Sequence, residues 1–345
     1  MGIDSGDPAI LDEVDLAILH TLQLSPRASW ARVARVVSID SATAARRWRR
    51  LEAAGLAWVT CQPPAEPDTH FALVEIECEH GWLGEVTRAV CEDPCCFSVD
   101  VTSGSRDLMV LVGARSYDAL TAYVINRFQK VPHIRATRTH VASPRFSDAS
   151  RWRLSSLDSS QIGIARQGTG PRRAAPWKGL EDEDWAMGLE LGRDGRAAVA
   201  HLARHCGTNE SATRRRLDRL LANGQLTLRT EVARQATSTG VQALFFADSA
   251  VGQLEHRMAL LARRPEIRAV FSYVNPYALA FTVWVRSLEH LLRFEKQVTQ
   301  ALSLSMRDRV LVLCSAKRVG RMLDPLGRSL EHVPADLRHA DLAPG

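Results

Sequence analysis

The stretch SATAARRWRRLEAAG at residues 41–55 recurs 169 residues later as ESATRRRLDRLLANG at residues 210–224. The same offset aligns residues 11–55 with residues 180–224 without a gap. The pairs that are identical in this alignment include Asp15/Asp184, Arg27/Arg196, Arg35/Arg204, Arg46/Arg215, Arg47/Arg216, Arg50/Arg219 and Gly55/Gly224. A repeat of this length is longer than a solenoid unit, so the sequence predicts two copies of a two-domain module.

The quoted stretch is the third of three short helices that the apolar spacing predicts in each copy. Asp40 is positioned to cap this helix, and Gly55 to end it in the left-handed conformation. Asn209 and Gly224 hold the same positions in the second copy. The predicted helices lie near residues 12–23, 30–37 and 41–54, and again near 181–191, 199–205 and 210–223. Three such helices with a brief turn before the third are typical of a helix-turn-helix.

The third helix has an apolar side and a basic side. Trp48 faces the core in the first copy, and Leu217 takes its place in the second. A helix of this width fits the major groove of B-DNA, where arginine binds phosphate or guanine. The residues predicted to contact DNA are Ser41, Thr43, Arg46, Arg47, Arg49, Arg50, Ser211, Arg215, Arg216 and Arg219. The second copy has Asp218 in place of Arg49, which predicts weaker phosphate attraction there. The alternative, a solvated charged face, is disfavoured because the pattern occurs twice.

After each set of helices the pattern changes to alternation with a period of two residues. Strands and helices then follow in the order β-α-β-β-α-β, the ferredoxin-like plan. The fold class is therefore predicted as α+β, with two three-helix domains each followed by a ferredoxin-like domain. The predicted boundaries are 8–60 and 68–145 for the first pair, 146–178 for a linker, 179–232 and 238–318 for the second pair, and 319–345 for a loosely ordered tail.

Composition indicates a globular protein with a mild excess of positive charge, which is compatible with nucleic acid as a partner but is not diagnostic of it. The 345 residues are 46% hydrophobic and 24% charged, with a net charge of +5 and a pI near 9.0. No apolar run is long enough for a membrane span and no export signal is seen, so a cytoplasmic location is expected. Cys91, Cys95 and Cys96 cluster without the spacing of a zinc site, which favours buried thiols. No metal and no cofactor are expected.

These motifs resemble the Lrp/AsnC family of bacterial transcription regulators. The resemblance is carried by Leu11-Asp12-x-x-Asp15, Arg27, Val33-Ala34, Arg46-Arg47-x-Arg49-Arg50-Leu51-Glu52-x-x-Gly55 and Gly104-Ser105-Arg106-Asp107. It covers residues 11–141 and 180–315. It implies double-stranded DNA as the partner. It also implies that the two ferredoxin-like domains pair through their sheets, here as a pseudo-dimer within one chain. Homo-oligomers of the chain are a further implication.

The resemblance also implies an effector, either an amino acid or a related small metabolite. Thr102, Gly104 and Asp107 are the candidate effector-binding residues, since a glycine permits close approach and a carboxylate pairs with an amino group. The alternative makes Gly104 a hairpin glycine and Asp107 a turn residue. The second copy has Asn275-Pro276-Tyr277-Ala278 at this place, which leaves ligand binding there in doubt.

Two rival functions share this build. Siroheme decarboxylases are similar, and they rely on histidine and arginine in the ferredoxin-like domain. Residues 99–112 and 271–285 contain no histidine, and His133 and His140 lie outside them, so an enzyme is not expected. The third hypothesis is a metabolite-sensing module that does not bind DNA.

Overall fold

The computed structural model describes residues 11–62, 64, 66–147, 152–167, 179–237, 239–274 and 276–342. The first helical unit consists of α1 (Glu13–Leu24), α2 (Trp30–Val37) and α3 (Ser41–Ala53), followed by strand β1 (Ala57–Cys61). The second helical unit consists of α7 (Asp182–Arg193), α8 (Val199–His205) and α9 (Glu210–Ala222), followed by β6 (Leu228–Val232). Between the two units lies α6 (Ser159–Ala165).

A strand-rich segment follows each helical unit, in the predicted order. The first contains β2 (His70–Cys78), α4 (Leu83–Cys91), β3 (Cys96–Thr102), β4 (Leu108–Ala114), α5 (Tyr117–Arg127) and β5 (Ile134–Ser147). The second contains β7 (Val241–Asp248), α10 (Leu254–Leu261), β8 (Ile267–Tyr273), β9 (Leu279–Val285), α11 (Leu288–Leu302) and β10 (Ser305–Arg318). The chain continues with β11 (Arg321–Leu323) and β12 (Ser329–His332). In the described part of the chain, no helix is both long and apolar enough to cross a bilayer.

The third helices begin and end where the sequence indicates. The Asp40 carboxylate accepts a hydrogen bond from the Thr43 backbone N–H at 2.8 Å, and Asn209 caps α9 in the same way at 2.9 Å. Gly55 has a φ of +68°, and a Cβ there would lie 2.6 Å from the Ser329 backbone oxygen. Only glycine therefore allows the chain to turn here while β12 passes alongside.

The strands close into a ring, which we call the β-ring. The first segment has the order β5-β2-β4-β3 and the second β8-β9-β7-β10, and the pairings β5–β8 and β10–β3 join them at both edges. Within the described residues, this gives eight strands without a free edge. Each long strand is shared: the first half of β10 pairs with β7, and its second half, from Val312 to Arg318, pairs with β3. Closure removes unpaired backbone groups that would otherwise favour edge-to-edge association.

The helical units are joined by a second, smaller sheet, which we call the linking ribbon. Strands β1 and β6 pair antiparallel, with Val59 opposite Thr230. Cys61 packs into the core of the second helical unit, while Val232 packs into that of the first. Each unit therefore completes its core with a strand from the other copy.

Both the segment predicted as a linker, residues 146–178, and the predicted tail, residues 319–345, contain ordered structure. Residues 152–167, placed in the linker, lie against the first helical unit: Gln161 donates to the Val36 carbonyl at 3.0 Å. Residues 168–178 lie outside the described residues. The sequence predicts a loosely ordered tail, but Leu337 is completely buried and β11 pairs with β10. Both segments are held by long-range contacts, which leave little periodicity in a short stretch of sequence.

Candidate nucleic-acid interface

The outward face of α3 presents arginines to solvent. Ala44, Trp48 and Leu51 are buried and dock the helix, while Arg46 and Arg49 are exposed on its other side. Arg46 donates to the Thr43 hydroxyl at 3.3 Å, and Arg49 to the Ala45 carbonyl at 3.3 Å. Neither guanidinium forms an ion pair within the described chain. Their charge is therefore available to an anionic partner.

Arg47 and Arg50 are held by acidic residues of α1. The Arg47 guanidinium lies 2.6 Å from an Asp12 oxygen and 3.0 Å from an Asp15 oxygen, and Arg50 lies 2.5 Å from the other Asp15 oxygen. Asp15 is buried, whereas the Arg50 side chain is 62% exposed and that of Arg47 only 27%. Hydrogen bonds to Asp12 and then Asp15 raise the pKa of Arg47. Arg47 therefore anchors α3 on α1, and Arg50 keeps most of its side chain accessible.

The second helical unit repeats this arrangement. Arg216 forms ion pairs with Glu181, Glu183 and Asp184, and Arg219 lies 3.6 Å from the same Asp184 carboxylate. Sequence reasoning matched Asp15 with Asp184 but did not pair either carboxylate with an arginine. The signal was present, since both partners recur at one offset.

Besides Arg219, α9 exposes Arg214 and Arg215. Arg215 donates to the Ser211 hydroxyl at 2.8 Å, one helical turn away. Ser41 and Ser211 are exposed near the starts of α3 and α9, and Thr43 is half-buried. Sequence reasoning missed Arg214, and also the matched pair Arg35 and Arg204, which are exposed on α2 and α8.

Arg27 and Arg196 have a different role from the other matched arginines. Arg27 donates to the carbonyls of Gly195 and Ala197, both at 2.8 Å. Arg196 donates to those of Pro26 and Ala28, at 2.5 and 2.9 Å. Burial and the proximity of Arg27 lower the pKa of Arg196 to about 10, so it stays charged at neutral pH. The two arginines therefore bind each helical unit to the other.

The predicted effector loop is a turn whose polar groups are already engaged. The Thr102 hydroxyl donates to the Arg106 carbonyl at 2.9 Å, and Asp107 accepts the Cys78 backbone N–H at 2.7 Å. Gly104 is exposed with a φ of +98°, which explains the glycine by backbone conformation alone. In the second copy, Asn275 lies outside the described residues.

A buried charged cluster behind this turn was missed by sequence reasoning. His140 lies 2.9 Å from one oxygen of Glu75, and Arg106 lies 3.2 Å from the other. Arg106 also reaches Asp308 of β10 at 2.6 Å, which links the two strand-rich segments. His140 arrives there because β5 pairs with β2, placing it opposite Leu73. The absence of histidine from residues 99–112 is therefore no evidence against a histidine beside this loop.

The cysteine cluster is buried, as the spacing indicated. Cys91, Cys95 and Cys96 all lie in the core beneath α4 and α5. Burial raises the pKa of the Cys91 thiol to about 12, so it stays protonated at neutral pH. Across the described ranges, no group of three histidine, cysteine, aspartate or glutamate residues is arranged to hold a metal ion.

Comparison with known proteins assigns both domain types to the N-terminal part of the chain. Residues 11–52 match the AsnC-type helix-turn-helix domain, and residues 71–152 match the Lrp/AsnC ligand binding domain. An uncharacterized HTH-type transcriptional regulator of the archaeon Pyrococcus abyssi is 25% identical over 134 residues, which cover 38% of this chain and 85% of that protein.

Similarity to solved structures extends further along the chain. The crystal structure of the siroheme decarboxylase NirDL aligns with 89% of this chain and 93% of its own, with a TM-score of 0.57 and 12% identity. The leucine response regulatory protein LrpA of Mycobacterium tuberculosis aligns with 39% of this chain and 92% of its own, with a TM-score of 0.35 and 21% identity. At 12% identity, the likeness to NirDL shows a shared fold and nothing beyond it.

Proposed function

We propose that this chain is a DNA-binding transcription regulator of the Lrp/AsnC type, in which one polypeptide presents two recognition helices, α3 and α9, to duplex DNA. The observation that carries the proposal is the pair of exposed guanidinium groups on α3, Arg46 and Arg49, which no carboxylate of the described chain neutralises. The match of residues 11–52 to the AsnC-type helix-turn-helix domain supports it.

The arginines divide into three groups under this proposal. Arg46, Arg49 and Arg215 contact DNA directly, with Ser41, Thr43 and Ser211 donating from the same face. When DNA binds, Arg50 and Arg219 replace part of their contact with the carboxylates of Asp15 and Asp184 by a contact with a DNA phosphate. Arg47 and Arg216 set the angle of each recognition helix, because two or three carboxylates at the start of the first helix in each unit already hold them.

The linking ribbon fixes the two recognition helices relative to each other. Paired helices of this kind contact half-sites about one helical turn, or a multiple, apart. Asp218 replaces Arg49 in α9, so the two half-sites are contacted unequally. We therefore expect an imperfect palindrome as the preferred operator. An amino acid or related metabolite as effector is the accompanying proposal, supported by the match of residues 71–152 to a ligand binding domain.

The test measures binding to the DNA upstream of the chain's own gene by fluorescence anisotropy, over a range of salt concentrations. The variant Arg46→Ala/Arg49→Ala should weaken binding and reduce the salt slope by roughly 0.9 for each phosphate that is no longer neutralised. The control is Arg293→Ala on α11, an exposed arginine of the second strand-rich segment. Unchanged affinity and salt slope in the double variant would show that these arginines do not contact phosphate.

A decarboxylase of the NirDL type is the second candidate function. One observation on this chain favours it: within the fold shared with NirDL, His140 and Arg106 meet on one buried carboxylate. The chain is incubated with siroheme and the mass of the product is measured by mass spectrometry. The regulator proposal expects no loss of carboxyl groups. The decarboxylase becomes the preferred function if the chain does not bind DNA, removes carboxyl groups from siroheme, and loses this activity in the variant His140→Ala.

A further inference from the structure

A cavity of about 220 Å³ lies inside the β-ring, at the end next to the linking ribbon. Much of its wall is apolar, formed by Leu73, Met109, Leu244, Phe271 and Trp284. A cavity of ~150 Å³ in another protein is known to hold benzene, so this space is large enough for a small aromatic or branched aliphatic molecule.

Positive charge is concentrated in the polar part of the wall. Arg229, Arg268 and Arg318 line the cavity and converge on one carboxylate, that of Glu231: Arg268 lies 3.0 Å and Arg318 3.7 Å from it, and Arg229 pairs with its other oxygen. All four side chains are buried. Within the described residues, this cluster holds three cations against one anion.

The other charged groups of the wall do not correct the imbalance. Lys317 is completely buried, and its ammonium donates to the Asp93 backbone carbonyl at 2.9 Å. Asp100 is the carboxylate that lines the cavity, and it accepts a hydrogen bond from the Ser315 hydroxyl at 2.5 Å. Because Lys317 interacts with Asp93 instead, the excess of positive charge at the cavity is that of Arg229, Arg268 and Arg318 over Glu231 and Asp100. Buried charges of one sign are unfavourable unless an opposite charge joins them.

Several donors in the wall have no hydrogen-bond partner among the residues that the structure describes. These are Nε of Arg229, one terminal nitrogen of Arg318 and the hydroxyl of Tyr273. Buried donors nearly always have a hydrogen-bond acceptor, so we expect each of these groups to find one in a bound molecule. The guanidinium groups are also fixed in place, because Arg268 stacks 4.2 Å from the ring centre of Trp284 and 4.5 Å from that of Trp152.

We propose that this cavity binds a small organic anion, a carboxylate carried on an aromatic or branched apolar body. The carboxylate pairs with the guanidinium groups of Arg229 and Arg318, and the apolar body fills the space beside Leu244 and Phe271. The site is separate from the predicted effector loop, since Thr102, Gly104 and Asp107 do not line the cavity.

The position of the site connects it with the proposed function. Arg229 and Glu231 belong to β6, the ribbon strand that completes the core of the first helical unit. A ligand that contacts Arg229 therefore acts on the strand that holds the recognition helices together. This last step rests on the proposed function; binding of the anion does not.

Isothermal titration calorimetry on the full chain tests the site with benzoate, and with benzamide, benzylamine and inorganic phosphate as comparisons. We expect benzoate to bind with one site per chain and roughly tenfold or more tighter than benzamide, which has the same shape without the charge. Phosphate, which lacks the apolar body, and benzylamine, which has the wrong charge, should bind more weakly than benzoate. Equal affinity for benzoate and benzamide, or no binding of benzoate, overturns the proposal.

Two variants locate the site. Ala269→Met fills the cavity without changing charge, and Arg318→Gln removes one cation; each should weaken benzoate binding at least tenfold, while Arg293→Gln on α11 should leave it unchanged. If a variant does not fold, as judged by circular dichroism, the comparison of benzoate with benzamide on the unaltered chain still decides. DNA binding of the unaltered chain is measured in parallel. Intact DNA binding without benzoate binding overturns the cavity proposal alone.

Discussion

At the scale of single residues, the arginines that recur in both copies fall into distinct environments that sequence alone does not separate. Arg46 and Arg50 both lie on the polar side of a helical wheel, yet Asp15 binds Arg50 and leaves Arg46 without a carboxylate partner in the described chain. The wheel correctly predicts which side of α3 is buried, because burial follows helical period. It contains no information about Asp12 and Asp15, which lie 32 to 35 positions earlier, at the start of α1, and supply the carboxylates.

The contrast between Asp15 and Asp12 yields a prediction about stability. Asp15→Asn removes a buried carboxylate that binds Arg47 and Arg50, so the free energy of unfolding should fall by about 1–2 kcal/mol, less than a fully buried pair because Arg50 reaches water. Asp12→Asn is the matched control: it caps α1 through a hydrogen bond from the Asp15 N–H, and asparagine caps equally well.

Urea denaturation followed by circular dichroism measures both variants. The exposed Asp12 pair with Arg47 should contribute less than about 1 kcal/mol. A larger loss in Asp12→Asn than in Asp15→Asn would contradict the assignment of Asp15 as the anchor of α3.

At the scale of elements, the sequence predicts the local structure well and the connections between copies poorly. The predicted β-α-β-β-α-β order is found in both copies, and the cap residues Asp40 and Asn209 are in place. Period and capping are properties of neighbouring residues, so a single sequence contains them. The pairing of β5 with β8, or of β1 with β6, joins residues that are far apart in the chain, and alternation does not specify which strand is the partner.

The segment at residues 152–167 contacts the first helical unit through His20, and this contact depends on pH. The Ser156 backbone N–H donates to Nδ1 of His20 at 3.2 Å, which requires the neutral imidazole. Burial, followed by the charges of Arg153 and Arg166, lowers the pKa of His20 to about 4. The unfolded histidine titrates near 6.5, so the folded chain binds fewer protons below that pH. Stability is complete above pH 6.5 and should fall by up to about 3 kcal/mol as the pH approaches 4.

Urea denaturation at a series of pH values measures this effect. His20→Gln keeps an acceptor for Ser156 and should flatten the dependence between pH 6.5 and 4. A residual slope should remain from His332, because burial lowers its pKa to about 3. The exposed His256 of α10, changed to Gln, serves as the control and should leave the slope as it is. A slope unaffected by His20→Gln would rule out this histidine as its source.

At the scale of the whole molecule, the β-ring and the linking ribbon turn two copies of one module into a single unit. The ring joins the strand-rich segments along both edges, and the ribbon exchanges a strand between the helical units. Arg27 and Arg196 look like surface arginines in the sequence, but each forms hydrogen bonds to the other helical unit and so adds to the connection between the two copies. Their carbonyl partners lie in the other copy, so the distance between recognition helices depends on them.

The last prediction concerns that distance. Arg27→Gln/Arg196→Gln removes four hydrogen bonds between the helical units, so the spacing of α3 and α9 is held less tightly by the ribbon alone. The unaltered chain should lose affinity for an operator whose half-sites are moved apart by about 5 base pairs, since half a turn places the second groove on the opposite face of the duplex. The double variant should bind the original operator more weakly, yet lose less affinity on the altered one. Anisotropy with both operators measures this difference, and Arg293→Gln should behave like the unaltered chain. If the double variant discriminates between the two operators as sharply as the unaltered chain does, the paired arginines do not set the spacing, and the ribbon strands alone hold the recognition helices in register.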